Sequence, residues 1–200
     1  MNSLFSKNIE HIILPDAEIV YHPNFIENTK ADVLFKVLRH DIQWQQDFIK
    51  VFGKTYPQPR LTSFYGDQEK SYGYSNIVMK PHPWNPLLSQ IKKDVETFCE
   101  QQFTSVLLNL YRDGKDSNGW HADDEKELGV NPVIASLSLG AERVFQLRHN
   151  VLKDQKLSLM LGHGSLLLMK GTTQHFWKHQ LPKTAKPIGE RINLTFRFIQ

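Results

Sequence analysis

The sequence predicts a mainly β protein of the α+β kind, a jelly roll or β-sandwich braced by helices from its N-terminal half. Three observations carry that expectation. From about residue 104 onwards, apolar residues recur with period two in short segments separated by Gly, Pro, Asn or Asp. In two earlier stretches they recur at helical spacing. No internal repeat, low-complexity tract or Gly/Ser linker divides the 200 residues, so a single domain, 1–200, is the simplest organisation.

In chain order, residues 1–50 form an extension with one helix. From Thr29 to His40, Val33, Leu34, Val37 and Leu38 make an apolar stripe, with Asn28 as its cap. The next segment, 51–84, is rich in aromatic residues and turn formers (KVFGKTYPQPRLTSFYGDQEKSYGYSN) and is expected outside the core. Residues 85–103 carry a second helix: Asn85 at the N-cap, Pro86 in the first turn, then Leu87, Leu88, Ile91, Val95 and Phe98 down one face. The β core, 104–200, contains SVLLNLYRD, PVIASLSLG, ERVFQLRH, KLSLML, GSLLLMK, QHFWKHQL and ERINLTFRFI as strands. Short strands with helices in front fit a two-layer antiparallel architecture.

Charge narrows the function only slightly. Lys and Arg exceed Asp and Glu by a net +3, with a pI near 8.9, which suits nucleic acid without demanding it. The lone cysteine, Cys99, excludes an internal disulfide and matches a reducing compartment; on the apolar face of the second helix it reads as an inert buried thiol. The first residues lack a charged region followed by a long apolar stretch, and no uninterrupted apolar run approaches the roughly 18 residues of a membrane span. A cytoplasmic location is expected, or a nuclear one in a eukaryote.

Alternation along strands says more, because side chains two apart share a face. Asn109 and Tyr111 lie with Leu107, opposite Leu108 and Leu110. Arg191, Asn193, Thr195 and Arg197 share one face, and Ile192, Leu194, Phe196 and Phe198 the other. With the apolar face against the helices, the arginine face is either a solvated edge or lies inside the sandwich. Inside, it needs an anion, because an unpaired buried charge costs several kcal/mol. A dicarboxylate or a phosphate would suit the guanidinium fork. In QHFWKHQL, alternation puts His175, Trp177 and His179 on one face, as structural residues or as ligands. In GWHADDEK, His121 stands two residues before Asp123, followed by Asp124 and Glu125. A solvated acidic turn is one reading. The other is chemical: His-x-Asp at a strand end, followed later by a strand histidine, supplies two imidazoles and a carboxylate, the facial set that leaves positions open on non-haem Fe(II). A bidentate 2-oxo acid and dioxygen fill such positions, and the arginine strand would clamp the acid's far carboxylate.

The segments NLYRDG, HADDEKELG, PVIASLSLG, RVFQLRH, HQLP and RINLTFR together resemble the AlkB family of Fe(II)- and 2-oxoglutarate-dependent DNA repair dioxygenases, in particular its double-strand-acting branch. The similarity runs from about Val51 to the C-terminus. It implies a cupin-like double-stranded β-helix with N-terminal helices and a nucleotide-recognition lid over 51–84. It implies that His121, Asp123 and His179 bind iron, His179 being preferred to His175 because HQLP matches the family motif. It implies that Asn109, Tyr111, Arg191, Asn193 and Arg197 contact 2-oxoglutarate. SYGYSN resembles the family's lesion-pocket segment, so Tyr72 and Tyr74, with His121, would stack an extruded base. KVFGK resembles the hairpin whose aromatic wedges into a duplex: Phe52 would fill the gap and Arg60 would steady the adjacent backbone or the orphaned base. Glu125, aided by Asp124 in the same turn, would favour a cationic alkylated base by Coulomb attraction. The implied activity is demethylation of N1-methyladenine and N3-methylcytosine in DNA by a monomer, with O2 consumed and formaldehyde, succinate and CO2 released. The rivals are the same chemistry on single-stranded DNA, RNA or a protein side chain, a catalytically inactive damage-binding protein, and a cupin-like structural module.

Overall fold

The computed structural model describes residues 9–51, 53–67, 72–74 and 77–200, without the side chains of residues 50, 51, 72–74 and 77–79. In chain order, the first half holds β1 (Glu10–Leu14), β2 (Ala17–His22), α1 (Asn28–Asp41), β3 (Phe48–Val51), β4 (Lys54–Pro57), β5 (Leu61–Gly66), β6 (Tyr72–Tyr74), β7 (Ile77–Met79) and α2 (Pro86–Cys99). The second half holds β8 (Ser105–Tyr111), β9 (Asn118–His121), β10 (Ile134–Gly140), β11 (Arg143–His149), β12 (Lys156–Leu161), β13 (Ser165–Lys170), α3 (Thr173–Phe176), β14 (Trp177–Leu181) and β15 (Arg191–Arg197).

Two antiparallel sheets make the body. The major sheet runs β1-β2-β13-β10-β15-β8-β5 and the minor one β12-β11-β14-β9; β3-β4 and β6-β7 are separate hairpins. Alternation sorts the major sheet's side chains into two cores. Leu108 and Leu110 of β8, Leu137 and Leu139 of β10, and Ile192, Leu194 and Phe196 of β15 pack outward against Leu34 and Leu38 of α1 and Leu88, Ile91 and Val95 of α2. Leu107, Ile134 and Leu167 point the other way, to Leu147, Leu161 and Trp177 of the minor sheet. The jelly roll braced by helices is therefore as expected.

The helix signals hold locally. Asn85 Oδ1 accepts from the backbone N–H of Leu88 at 2.8 Å, Pro86 opens α2, and Glu100 in the left-handed region ends it. For α1 the cap position is Glu27, without a side-chain bond, and Asn28 is already helical. No helix among the described residues is long and apolar enough to cross a membrane.

Four features depart from expectation. Residues 10–22 form a hairpin that joins the major sheet through β2 and β13. Within 51–84, expected outside the core, β5 is buried and pairs with β8; Phe64 is 2% exposed and Tyr65 5%. An additional strand, β9, completes the minor sheet beside β14. Finally, His175 is not on the strand with His179: it belongs to the single turn α3, is exposed, and its Nε2 meets Asn131 at 3.0 Å. The strand face that alternation assigns jointly to His175 and His179 is thereby corrected.

Candidate active site

The chamber between the sheets is built from two cross-strand alignments. On the major sheet, β15 and β8 are in register so that Asn193 faces Asn109 and Arg191 faces Tyr111. All four are buried, as are Thr195 and Arg197. The polar face of β15 thus points into the sandwich, and the solvated-edge reading fails because β15 lies between β10 and β8. On the minor sheet, His121 of β9 is the register partner of His179 of β14. Asp123 follows β9 directly and is 1% exposed.

These residues converge. The ligand atoms of His121, Asp123 and His179 lie within 4.8 Å of one another. The two Nε2 atoms are 3.1 Å apart, and His179 Nε2 is 4.0 Å from an Asp123 carboxylate oxygen. His121 Nδ1 sits 2.7 Å from the Gly119 carbonyl, which fixes the proton on Nδ1 and leaves the Nε2 lone pair facing the cluster. Arg197 donates to Asp123 Oδ1 at 2.8 Å, and Gln174 Oε1 accepts from the Asp123 backbone N–H.

The electrostatics suit a cation. Burial pushes the His179 imidazole down to about 3, helped by His121, so it is neutral with an available lone pair. Burial likewise lowers His121, against the pull of Asp123. For Asp123 burial alone would favour the neutral acid, yet the Arg197 guanidinium bonded to it, with the His179 and His121 rings alongside, outweighs burial and holds the carboxyl at about 2. Two neutral nitrogens and one carboxylate brought this close together are the donor set of a non-haem Fe(II) site.

The deeper part of the chamber suits an anion. Arg191 is 2% exposed; one terminal nitrogen donates to Ser138 Oγ, and its buried Nε has no hydrogen-bond partner among the described residues. A guanidinium left short of acceptors is where a carboxylate belongs. Asn193 donates to Ser136 Oγ and the Leu137 carbonyl, and Thr195 donates to Asn193 Oδ1, so this wall is held rigidly.

Arg60 is 4% exposed; its Nε donates to Asn109 Oδ1 at 2.9 Å and it also reaches the Ser117 carbonyl. A buried residue so engaged supports the chamber wall. Asp124 is exposed and Glu125 half-buried, immediately before the 3-10 turn Lys126–Leu128. Tyr72 and Tyr74 belong to the β6-β7 hairpin by backbone, but their side chains lie outside the described residues, as does Phe52 altogether. Gln174, Asn118 and the serines of β10 were not among the sequence candidates. Ser136 and Ser138 carried a signal, since they alternate on one face of PVIASLSLG; Gln174 carried none.

Comparison with known proteins gives this geometry a family. The model of the 2OG-Fe(II) oxygenase superfamily matches residues 18–197. The chain belongs to that superfamily. It is 41% identical over 192 residues to the alpha-ketoglutarate-dependent dioxygenase alkB homolog 3 of Mus musculus, covering 92% of this chain and 66% of that one. It is 39% identical over 180 residues to the DNA oxidative demethylase ALKBH2 of Homo sapiens, covering 85% and 69%. The chain spans about two thirds of the length of these curated relatives. A solved structure described as that of OsALKBH1 superposes with a TM-score of 0.67 at 15% identity, over 96% of this chain and 100% of that one, a likeness of fold. The family implies Fe(II), 2-oxoglutarate and O2, and the His-Asp-His cluster and the acceptor-poor Arg191 fit the first two of these.

Proposed function

We propose that this AlkB-type protein is an oxidative DNA demethylase that removes methyl groups from N1-methyladenine and N3-methylcytosine, acting as a monomer on duplex DNA in the cytoplasm, or in the nucleus of a eukaryote. The observation that carries the reaction type is one chamber in which a His-Asp-His set and a buried, acceptor-poor arginine face the same space. The name of the human relative, DNA oxidative demethylase, supports DNA as the substrate. When bound, iron with 2-oxoglutarate and dioxygen supplies the oxidation of the methyl carbon, which leaves as formaldehyde while succinate and CO2 are released.

The chain's own residues bind and orient. His121, Asp123 and His179 hold the iron, with the Gly119 carbonyl fixing the His121 ring and Arg197 fixing the carboxylate. Arg191 and Tyr111 receive the far carboxylate of 2-oxoglutarate, and Asn109, Asn193 and Arg197 complete its surroundings. Phe145, Leu161 and Met169 line the chamber and limit water. Tyr72 and Tyr74 stack the extruded base with His121, Phe52 fills the gap left in the duplex, and Glu125 with Asp124 favours a base carrying positive charge. Arg60 serves this scheme as the support of Asn109.

An oligonucleotide demethylation assay with both lesions, in single- and double-stranded form, tests the proposal. Formaldehyde release that needs both iron and 2-oxoglutarate and is faster on the duplex is expected. Absence of turnover by fully iron-loaded protein would favour a damage-binding role, and turnover confined to single strands would remove the duplex assignment. Phe52→Ala should lower duplex activity alone.

A further inference from the structure

Arg143 opens β11, is 3% exposed, and was not singled out by its sequence context. Its guanidinium donates to three backbone carbonyls: Pro182 at 2.7 Å, Asp116 at 2.9 Å and Asp113 at 3.2 Å. Among the described residues it forms no salt bridge. The carboxylate of Asp116 is occupied by Arg112 at 2.7 and 2.9 Å, and that of Asp113 accepts from the backbone N–H of Lys115 at 2.8 Å, so both act on Arg143 through space alone, and burial outweighs them and lowers it. Carbonyl dipoles satisfy the N–H groups of a buried cation without cancelling its net charge, so its field reaches its neighbours.

The neighbour it reaches is the anion-binding end of the chamber. The Arg143 Cζ lies 5.9 Å from the Tyr111 ring centroid, and the Arg191 Cζ lies 5.4 Å from that same centroid. One tyrosine ring is thus close to two buried guanidiniums. Burial, with Arg143 adding to it, brings Arg191 down to about 10. Two like charges kept together in the interior are a cost to the fold unless an anion joins them.

We infer that Arg143 is a second cation for the far carboxylate of 2-oxoglutarate, a specificity-determining residue that selects a dicarboxylate over a monocarboxylate through its field and through Tyr111, without touching the acid. The inference rests on reading this chamber as the 2-oxoglutarate site. A merely structural role is the competing account, because the three carbonyls belong to the β8-β9 and β14-β15 connections.

The two accounts separate by the charge of the ligand. The probes are 2-oxoglutarate and 2-oxopentanoate, which has a methyl group in place of the far carboxylate; binding is read by oxygen-free calorimetry on Mn(II)-loaded protein. Arg143→Gln is expected to weaken 2-oxoglutarate about tenfold and 2-oxopentanoate less than about twofold. Equal weakening of both acids, or of neither, overturns the inference. If the glutamine variant does not fold, Arg143→Lys carries the test: it keeps the charge but cannot span three carbonyls with a planar fork. Its preference for the dicarboxylate should then stay within about twofold of wild type while its Tm falls. Loss of that preference would mean that position 143 acts only through loop geometry. Failure of the wild-type protein to bind 2-oxoglutarate at all would instead refute the assignment of the chamber.

Discussion

Asn109 is held by a neighbour that reaches it from outside its own strand: Arg60, at the entrance to β5, donates to its side-chain oxygen across 49 residues of sequence. Arg60→Ala leaves a buried acceptor unpaired and should cost about 1–3 kcal/mol of stability, read from denaturant unfolding. The same change should weaken 2-oxoglutarate binding and lower activity by equal factors on single- and double-stranded methylated oligonucleotides. A shift in strand preference would put Arg60 back against DNA. Cys99 offers a second test at this scale. Burial pushes its thiol up to about 12, so at pH 8 only about one molecule in ten thousand carries the thiolate. Alkylation by iodoacetamide, followed by mass spectrometry, should therefore run about a thousandfold slower than on an unperturbed cysteine of pKa near 8.5. Alkylation at the ordinary rate would mean that α2 opens readily from the major sheet.

The N-terminal hairpin is a structural part of the major sheet. Ile19 of β2 is 2% exposed beneath the minor sheet, whereas Ile13 of β1 is 85% exposed on the edge. Ile19→Ala should cost about 2–5 kcal/mol and Ile13→Ala less than about 0.5, a contrast readable in Tm. These two strands were hard to read in advance because β1 is an edge strand whose apolar residues face both core and solvent, which blurs the alternation. β5 was concealed for the opposite reason. Buried on both faces, Leu61–Gly66 shows no amphipathic period and lies among turn formers that suggest a loop. β9 is only four residues long and includes a glycine, too short for any period. In QHFWKHQL, period two runs without a break across residues that the chain divides between one helical turn and a strand. That turn is closed by the Thr172 carbonyl, which accepts from the N–H groups of His175 and Phe176. By contrast, β8 and β15 are central, long and strictly alternating, so the residues lining the acid chamber were legible as a face before any coordinates. Arg143 was not, because its position depends on loops that arrive from elsewhere in the chain.

At the scale of the whole molecule the metal cluster is a joint. His121 and His179 belong to the minor sheet, while Asp123 leaves that sheet and is fastened by Arg197 to β15 of the major sheet. A divalent ion bound by all three therefore ties the two layers together, and it relieves two neutral imidazole nitrogens held 3.1 Å apart. Binding to the folded state alone stabilises by mass action, about 2.7 kcal/mol at a hundredfold excess of ion over Kd. For a domain of this size that corresponds to a rise in Tm of roughly 5–10 °C. Mn(II), which does not oxidise under assay conditions, is the suitable probe, with Tm followed calorimetrically. His179→Ala should abolish most of the rise, because it removes a ligand at the centre of the cluster. 2-Oxoglutarate should add a further increase in the presence of Mn(II), through Arg191 and the metal together, and a smaller one without it. If Mn(II) left the wild-type Tm unchanged at concentrations that saturate related non-haem sites, the three side chains would be a buried hydrogen-bonded cluster and not a metal centre.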